Sequence, residues 1–217
     1  MSSFQTLAAV RKSLSEARME TFDLASGTSA KAAQNLYSWN ALLSGALLMP
    51  LHICEVVTRN AISEGLELQY GDKWPWSKGF ERSLPDPPGG FSLRKELISA
   101  RHNRQTVGEV ISDLNFHFWQ NMFTGRHDDR LWSPYLRQVF PHLDKTKTTA
   151  LLRSEIYQNL FEIRRLRNRI AHHEPIFARN LMADFERIGD MISIRCPLTA
   201  QWMIDHQLAV DLIQSRP

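Results

Sequence analysis

Four arginines, an asparagine and two histidines crowd one stretch of the chain, Arg164-Arg165-Leu166-Arg167-Asn168-Arg169-Ile170-Ala171-His172-His173-Glu174-Pro175. Arginine offers a planar fork of donors that fits a phosphate, and it keeps its charge at any cellular pH. Histidine both takes and gives a proton near neutrality. Together they meet the needs of cutting an RNA phosphodiester without a metal. The reaction requires a base for the 2′-hydroxyl, an acid for the 5′-leaving oxygen and cations for the charged transition state. Like charges at helical spacing repel, so stability alone explains these arginines poorly and an anionic partner is expected. The plainer reading is a basic helix end that complements the macrodipole, with its histidines in solvent.

The element that positions these groups is legible. Ile156, Leu160, Ile163, Leu166 and Ile170 recur at steps of three and four, one buried helical face. Pro175 biases Glu174 away from the α region, so the helix is expected to end near the histidines. Arg164, Asn168 and His172 then line one stripe, and Arg165, Arg169 and His173 the next. Arg167 and His172 point about 140° apart on an ideal helix. They converge only through the length of the arginine, a loosened last turn, or a second copy of the motif. A metal site on His172, His173 and Glu174 is the other chemistry to weigh. Adjacent histidines point in different directions and a carboxylate-rich set is missing nearby, so no metal or other cofactor is expected.

The 217 residues suit one domain, residues 1–217, since no long Ser/Gly linker divides them. Net charge is only +3, so a nucleic-acid signal must lie in how charge is distributed. Cys54 and Cys196 sit in apolar helical surroundings without ligand spacing and read as reduced core residues of a cytosolic protein. The N-terminus lacks a signal-peptide core. The most apolar run, Leu42 to Val57, contains Pro50, His52 and Glu55 and is not expected to span a membrane.

In chain order, a first helix is expected over Phe4 to Phe22. After the break at Gly27-Thr28-Ser29, Ser29 caps a second running to about Met49. Pro50 interrupts it, and a third continues from Leu51 to about Leu68, where Glu55 and Arg59 are spaced to pair. Tyr70 to Phe91 is irregular, with Trp74-Pro75-Trp76 and Pro85-Asp86-Pro87-Pro88-Gly89-Gly90. Its tryptophans either anchor the loop, the favoured reading, or stack on bases. Ser92 caps a short basic helix whose Arg101 and Arg104 could follow a phosphate backbone. Thr106 to Glu109 is a capping box opening a helix through Phe123. Gly125 to Asp129 is a polar turn, and Ser133-Pro134 starts a short helix. Beyond the motif, one helix ends at Cys196-Pro197 and the last spans Thr199 to about Ile213. No segment alternates as a strand, so the fold class is all-α, a bundle of about eight or nine helices with one Pro/Gly/Trp-rich loop.

The spacing Arg167-Asn168-x-x-x-His172 resembles the R-x4-6-H signature of the HEPN superfamily. The longer string from Leu166 to Phe177 is similar to the hallmark of its Abi-like (abortive infection) proteins. Trp39-Asn40, His52-x-x-Glu55-x-x-x-Arg59-Asn60 and Phe116-x-Phe118-Trp119 also resemble that family, in order and in register. The resemblance implies an all-α HEPN-like bundle and a cytoplasmic endoribonuclease that needs no metal and acts in anti-phage defence. It also implies a homodimer whose two motifs line one cleft. His172 is then the expected general acid/base, Arg167 the phosphate holder and Asn168 a positioning group. His173 is either a second proton carrier or a solvent-facing residue. Arg164, Arg165 and Arg169 would grip RNA. Glu55, Arg59, Asn60 and Glu174 would support the site. An antitoxin or regulatory RNA is a possible further partner. The other function class is an RNA-binding module that never cuts.

Overall fold

The computed structural model describes residues 3–27 and 29–217, so Thr28 lies outside the described residues. Among those residues every regular element is helical. The amino-terminal part comprises α1 (Ser3–Leu14), α2 (Glu16–Ser26) and α3 (Ala30–Tyr70). Five short helices follow, α4 (Lys78–Ser83), α5 (Leu93–Ala100), α6 (Val107–Asp113), α7 (Phe116–Asn121) and α8 (Ser133–Val139). The motif ends α9 (Thr149–Ala171), and α10 (Leu181–Ser193), α11 (Pro197–His206) and α12 (Ala209–Gln214) complete the fold. The all-α expectation holds, with twelve α-helices among the described residues rather than eight or nine.

The extra helices arise where polar side chains restart the chain. Ser15, at φ 74°, splits the first expected helix, and its hydroxyl accepts from the Arg18 amide to cap α2. Asn115 does the same between α6 and α7, accepting from Phe118 N–H at 2.9 Å. Pro197 not only stops the preceding helix but opens α11, where its missing N–H costs nothing. The reverse happens at Pro50. A break was expected there, yet α3 runs straight through as 41 residues, about 60 Å. Proline removes one backbone hydrogen bond and crowds the preceding turn. Leu47, Pro50, Leu51 and Cys54 are all buried around it, so packing on both sides outweighs that local loss.

α3 is the axis of the molecule. α2, α8, α10 and α12 pack against it, as do α7 and α9. By length and composition α3 could cross a bilayer (an 18-residue window has mean hydropathy 1.6), but here it serves as the central helix of the bundle. Cys54 is buried in that helix, and desolvation pushes its thiol up to about 12. Cys196 departs from the core expectation: it is half-buried at the start of α11, where contact with Thr199 lowers its thiol.

The stretch expected to be wholly irregular contains a 3₁₀ turn over Trp74–Trp76 and then α4, capped by Ser77. The expected caps at Ser29, Ser92 and the Thr106–Glu109 box are all in place.

The expected polar turn near Gly125 is instead a 3₁₀ turn followed by a π turn, Asp128–Trp132, and it buries His127. His127 Nε2 has no hydrogen-bond partner, and burial, aided by Arg126 and Arg130, pushes this imidazole down to about 4. Its ring is neutral in the fold, whereas the unfolded chain takes up the proton near 6.5. Stability is therefore fully present above about pH 6.5 and falls as pH drops toward 4. Between pH 7.5 and 5 this histidine should cost about 2 kcal/mol. Urea denaturation at the two pH values should show that loss in the wild type and most of it missing in His127→Phe.

Candidate functional site

The hydrophobic stripe of α9 is buried as its spacing dictates, through Ile156, Leu160, Ile163, Leu166 and Ile170. That burial turns Arg165, Arg167, His172 and His173 outward. The helix ends by a specific device. His172 is the last half-helical residue, and His173 follows in the left-handed region at φ 56°. His173 N–H donates to Ile170 C=O at 3.0 Å, and Glu174 N–H donates to Arg169 C=O at 2.7 Å. This is the Schellman pattern, in which the left-handed position usually falls to glycine or asparagine. Asn168 C=O accepts from His172 N–H at 2.9 Å, so the backbone under the motif is satisfied. The turn, and not the helix, aims the second histidine.

A histidine in that position sets stability against something else. The expected effect of His173→Gly is a gain of about 1 kcal/mol in unfolding free energy. Urea denaturation of the two proteins checks it, with no gain counting against a strained turn.

The arginines divide by what holds them. Arg164 Nε donates to the buried Gln120 Oε1 at 2.6 Å, tying α9 to α7. Arg169 folds back onto Pro175 C=O at 2.6 and 3.0 Å and faces Glu174 at 3.3 Å. Glu174 thus sits against Arg169 and not against a histidine. Arg165 is 57% exposed, donating to Glu162 at 3.1 Å and lying 5.7 Å from the Phe161 ring centroid. Arg167 is largely free, its Nε 4.0 Å from Glu55 on α3. That distance is too long for a hydrogen bond and leaves a screened attraction.

The expected pairing of Glu55 changes here. Glu55 faces Arg167 on another helix and forms no ion pair with Arg59, whose buried Nε has no partner. Asn60 is exposed beside them. Arg101 and Arg104, which follow α5, are each paired within the chain. Arg101 is 14% exposed; it donates to Pro75 C=O at 2.8 Å and is paired with Glu81. Arg104 is paired with Asp113 at 2.7 Å. Arg101 supplies a donor that the buried Pro75 carbonyl needs, while the Arg104–Asp113 pair lies at the surface.

No hydrogen bond joins the side chains of Arg167, Asn168, His172 and His173 to one another, and none of the four has a side-chain hydrogen bond elsewhere among the described residues. Arg167, His172 and His173 are exposed at this end of α9, and Asn168 is half-buried among them. Among the described residues no three His, Cys, Asp or Glu side chains converge as a ligand set.

Beside this helix end lies a groove of about 380 Å³ that the motif reading alone does not reveal. Its lining comes from Arg18 on α2, from Tyr37, Asn40 and Ser44 on α3, and from Ala171 and His173 at the end of α9. Asn40 also fixes the post-motif segment, accepting from Ile176 N–H at 2.8 Å. Trp39 next to it donates to Leu212 C=O at 2.6 Å. The adjacency of Trp39 and Asn40 was the one signal in the sequence; Arg18 and Tyr37 carried none. No protein-family model, curated protein or solved structure matches this chain.

Proposed function

We propose that this chain is an Abi-like HEPN endoribonuclease that cuts RNA without a metal and works as a homodimer. The observation that supports it is the contrast within one helix. Arg164 and Arg169 are consumed by internal contacts, while Arg167, Asn168, His172 and His173 at its other positions make no side-chain hydrogen bond among the described residues, and Arg165 is held at the surface by Glu162. Side chains that contribute so little to packing fit a role toward an external anion.

In the mechanism, His172 takes the 2′-hydroxyl proton, and the 2′-oxygen attacks the adjacent phosphorus. The 5′-oxygen leaves and takes up a proton, from His173 or from the second copy's His172. Arg167 holds the phosphate, and its charge counts most as negative charge builds on the equatorial oxygens. Asn168 orients a phosphate oxygen. Glu55 restrains Arg167 from α3 without removing its charge. The products are a 2′,3′-cyclic phosphate and a 5′-hydroxyl. DNA lacks the nucleophile and is expected to survive.

A second copy answers the angular separation of Arg167 and His172, since each arginine can serve the partner's histidine. Leu42 and Leu48 stand exposed on α3, the helix that flanks the motif, an apolar surface suited to such a contact. The defence setting and restraint by an antitoxin or regulatory RNA rest on the family resemblance, and the cytoplasmic location on the reading of Cys54 and Cys196 as reduced. The test is end-labelled RNA incubated with the protein in EDTA, with light scattering under the same conditions. Cyclic-phosphate products from a dimer are expected. Cutting that EDTA abolishes, or cutting by a monomer, would overturn the corresponding part. Tight binding without cutting would favour the RNA-binding module.

A further inference from the structure

The groove beside His173 carries a mostly buried amide, that of Asn40. Asn40 is 7% exposed, and its Oδ1 is occupied by the Ile176 N–H at 2.8 Å. That bond fixes which end of the amide is which. Asn40 lines the groove, and Nδ2 makes no hydrogen bond to the protein among the described residues. Nδ2 is not among the buried atoms left without a partner, so this donor is accessible rather than orphaned. Tyr37 brings a hydroxyl and Arg18 a guanidinium to the same groove, neither with a hydrogen-bond or carboxylate partner among the described residues. Ser44 donates its proton to Asn40 C=O at 2.7 Å. The walls, Ala41, Leu48 and Ile170, are apolar.

The donors Asn40 Nδ2 and Arg18 seek acceptors, and the apolar walls suit the faces of a flat ring. The volume is that of a small-ligand site. Resting on the nuclease reading above, we propose that the groove is a base-selecting subsite next to the scissile phosphate. It takes a nucleotide whose base presents a carbonyl edge, uracil or guanine, with Asn40 Nδ2 donating to that oxygen and Arg18 meeting a flanking phosphate. Cytosine and adenine put an amino group where the carbonyl stands, so two donors would face each other.

The test is NMR titration of the protein with UMP, CMP, GMP and AMP, following the amides of Ala41, Gly45 and Ala171. UMP is expected to bind about tenfold more tightly than CMP, and GMP than AMP. Asn40→Asp keeps an acceptor for Ile176 N–H but turns an acceptor into the groove, so the UMP/CMP ratio should reverse. The ratio cancels the effect of the added charge on the phosphate. Arg18→Gln, at a half-exposed position, should weaken UMP but not uridine and guards against a folding defect in the first variant. If UMP leaves those amides unmoved, or if Asn40→Asp leaves the ratio unchanged, the subsite is wrong even when RNA is still cut through His172. If the nucleotides bind with the expected ratios but no RNA is cut, the subsite stands and the nuclease reading falls.

Discussion

Replacing His172 by alanine is expected to lower RNA cleavage by about 10²–10⁴-fold and to leave RNA affinity largely unchanged. The substitution is structurally mild. The ring makes no hydrogen bond, the residue is exposed, and its backbone bond to Asn168 C=O survives in alanine. What is removed is a proton carrier, so the loss should fall on the rate of the chemical step and not on binding. Arg167→Ala should damage both, because one guanidinium serves ground-state grip and transition-state charge. Arg165→Ala should weaken binding and lessen its salt dependence by roughly one unit of the log–log slope, with the single-turnover rate little changed. Single-turnover cleavage and filter binding over a salt series separate these outcomes. Wild-type rates in His172→Ala would remove the histidine from the mechanism.

The elements that position the motif were legible because long amphipathic helices declare themselves. The buried face of α9 was read from five apolar residues, and the face of α10 from Leu181, Phe185, Ile188 and Ile192. Capping residues marked helix starts well, since an N-cap acts through local hydrogen bonds alone. Helices of six or seven residues, such as α4, α7 and α12, are too short to show a period.

Side-chain partners were the least legible part. Glu55 is spaced to meet Arg59 within one helix, but the approach of α9 brings Arg167 closer instead. Arg101 looks like a free cation on a basic helix until the turn at Trp74–Trp76 offers it Pro75 C=O and α4 offers Glu81. The groove is wholly tertiary. It needs α2, α3 and the end of α9 in one place, and no spacing in the chain predicts that meeting. The residues that carry the proposed chemistry were visible because their types cluster in one stretch, while of those proposed to select the substrate only Asn40 left a trace in the sequence.

The Pro-rich segment supplies the largest stability effect. Trp74→Ala is expected to cost about 3–5 kcal/mol and to lower the melting temperature by about 10 °C. The indole is fully buried, edge-on to Phe80 at 5.4 Å and to Trp119 at 6.3 Å. Its Nε1 donates to Ser63 Oγ at 3.0 Å, so truncation leaves a cavity and an orphaned buried hydroxyl together. Trp76 is only half-buried against the same core and should cost less. Arg101→Ala would strip Pro75 C=O of its donor and Glu81 of its ion pair, loosening the same turn. None of these groups reaches the end of α9, so RNA affinity per folded molecule should be preserved in all three variants. A calorimetric scan beside RNA binding at 15 °C, where the variants remain folded, tests the division of labour. Intact melting with collapsed RNA binding in Trp74→Ala would instead mean that this indole leaves the core to stack on a base.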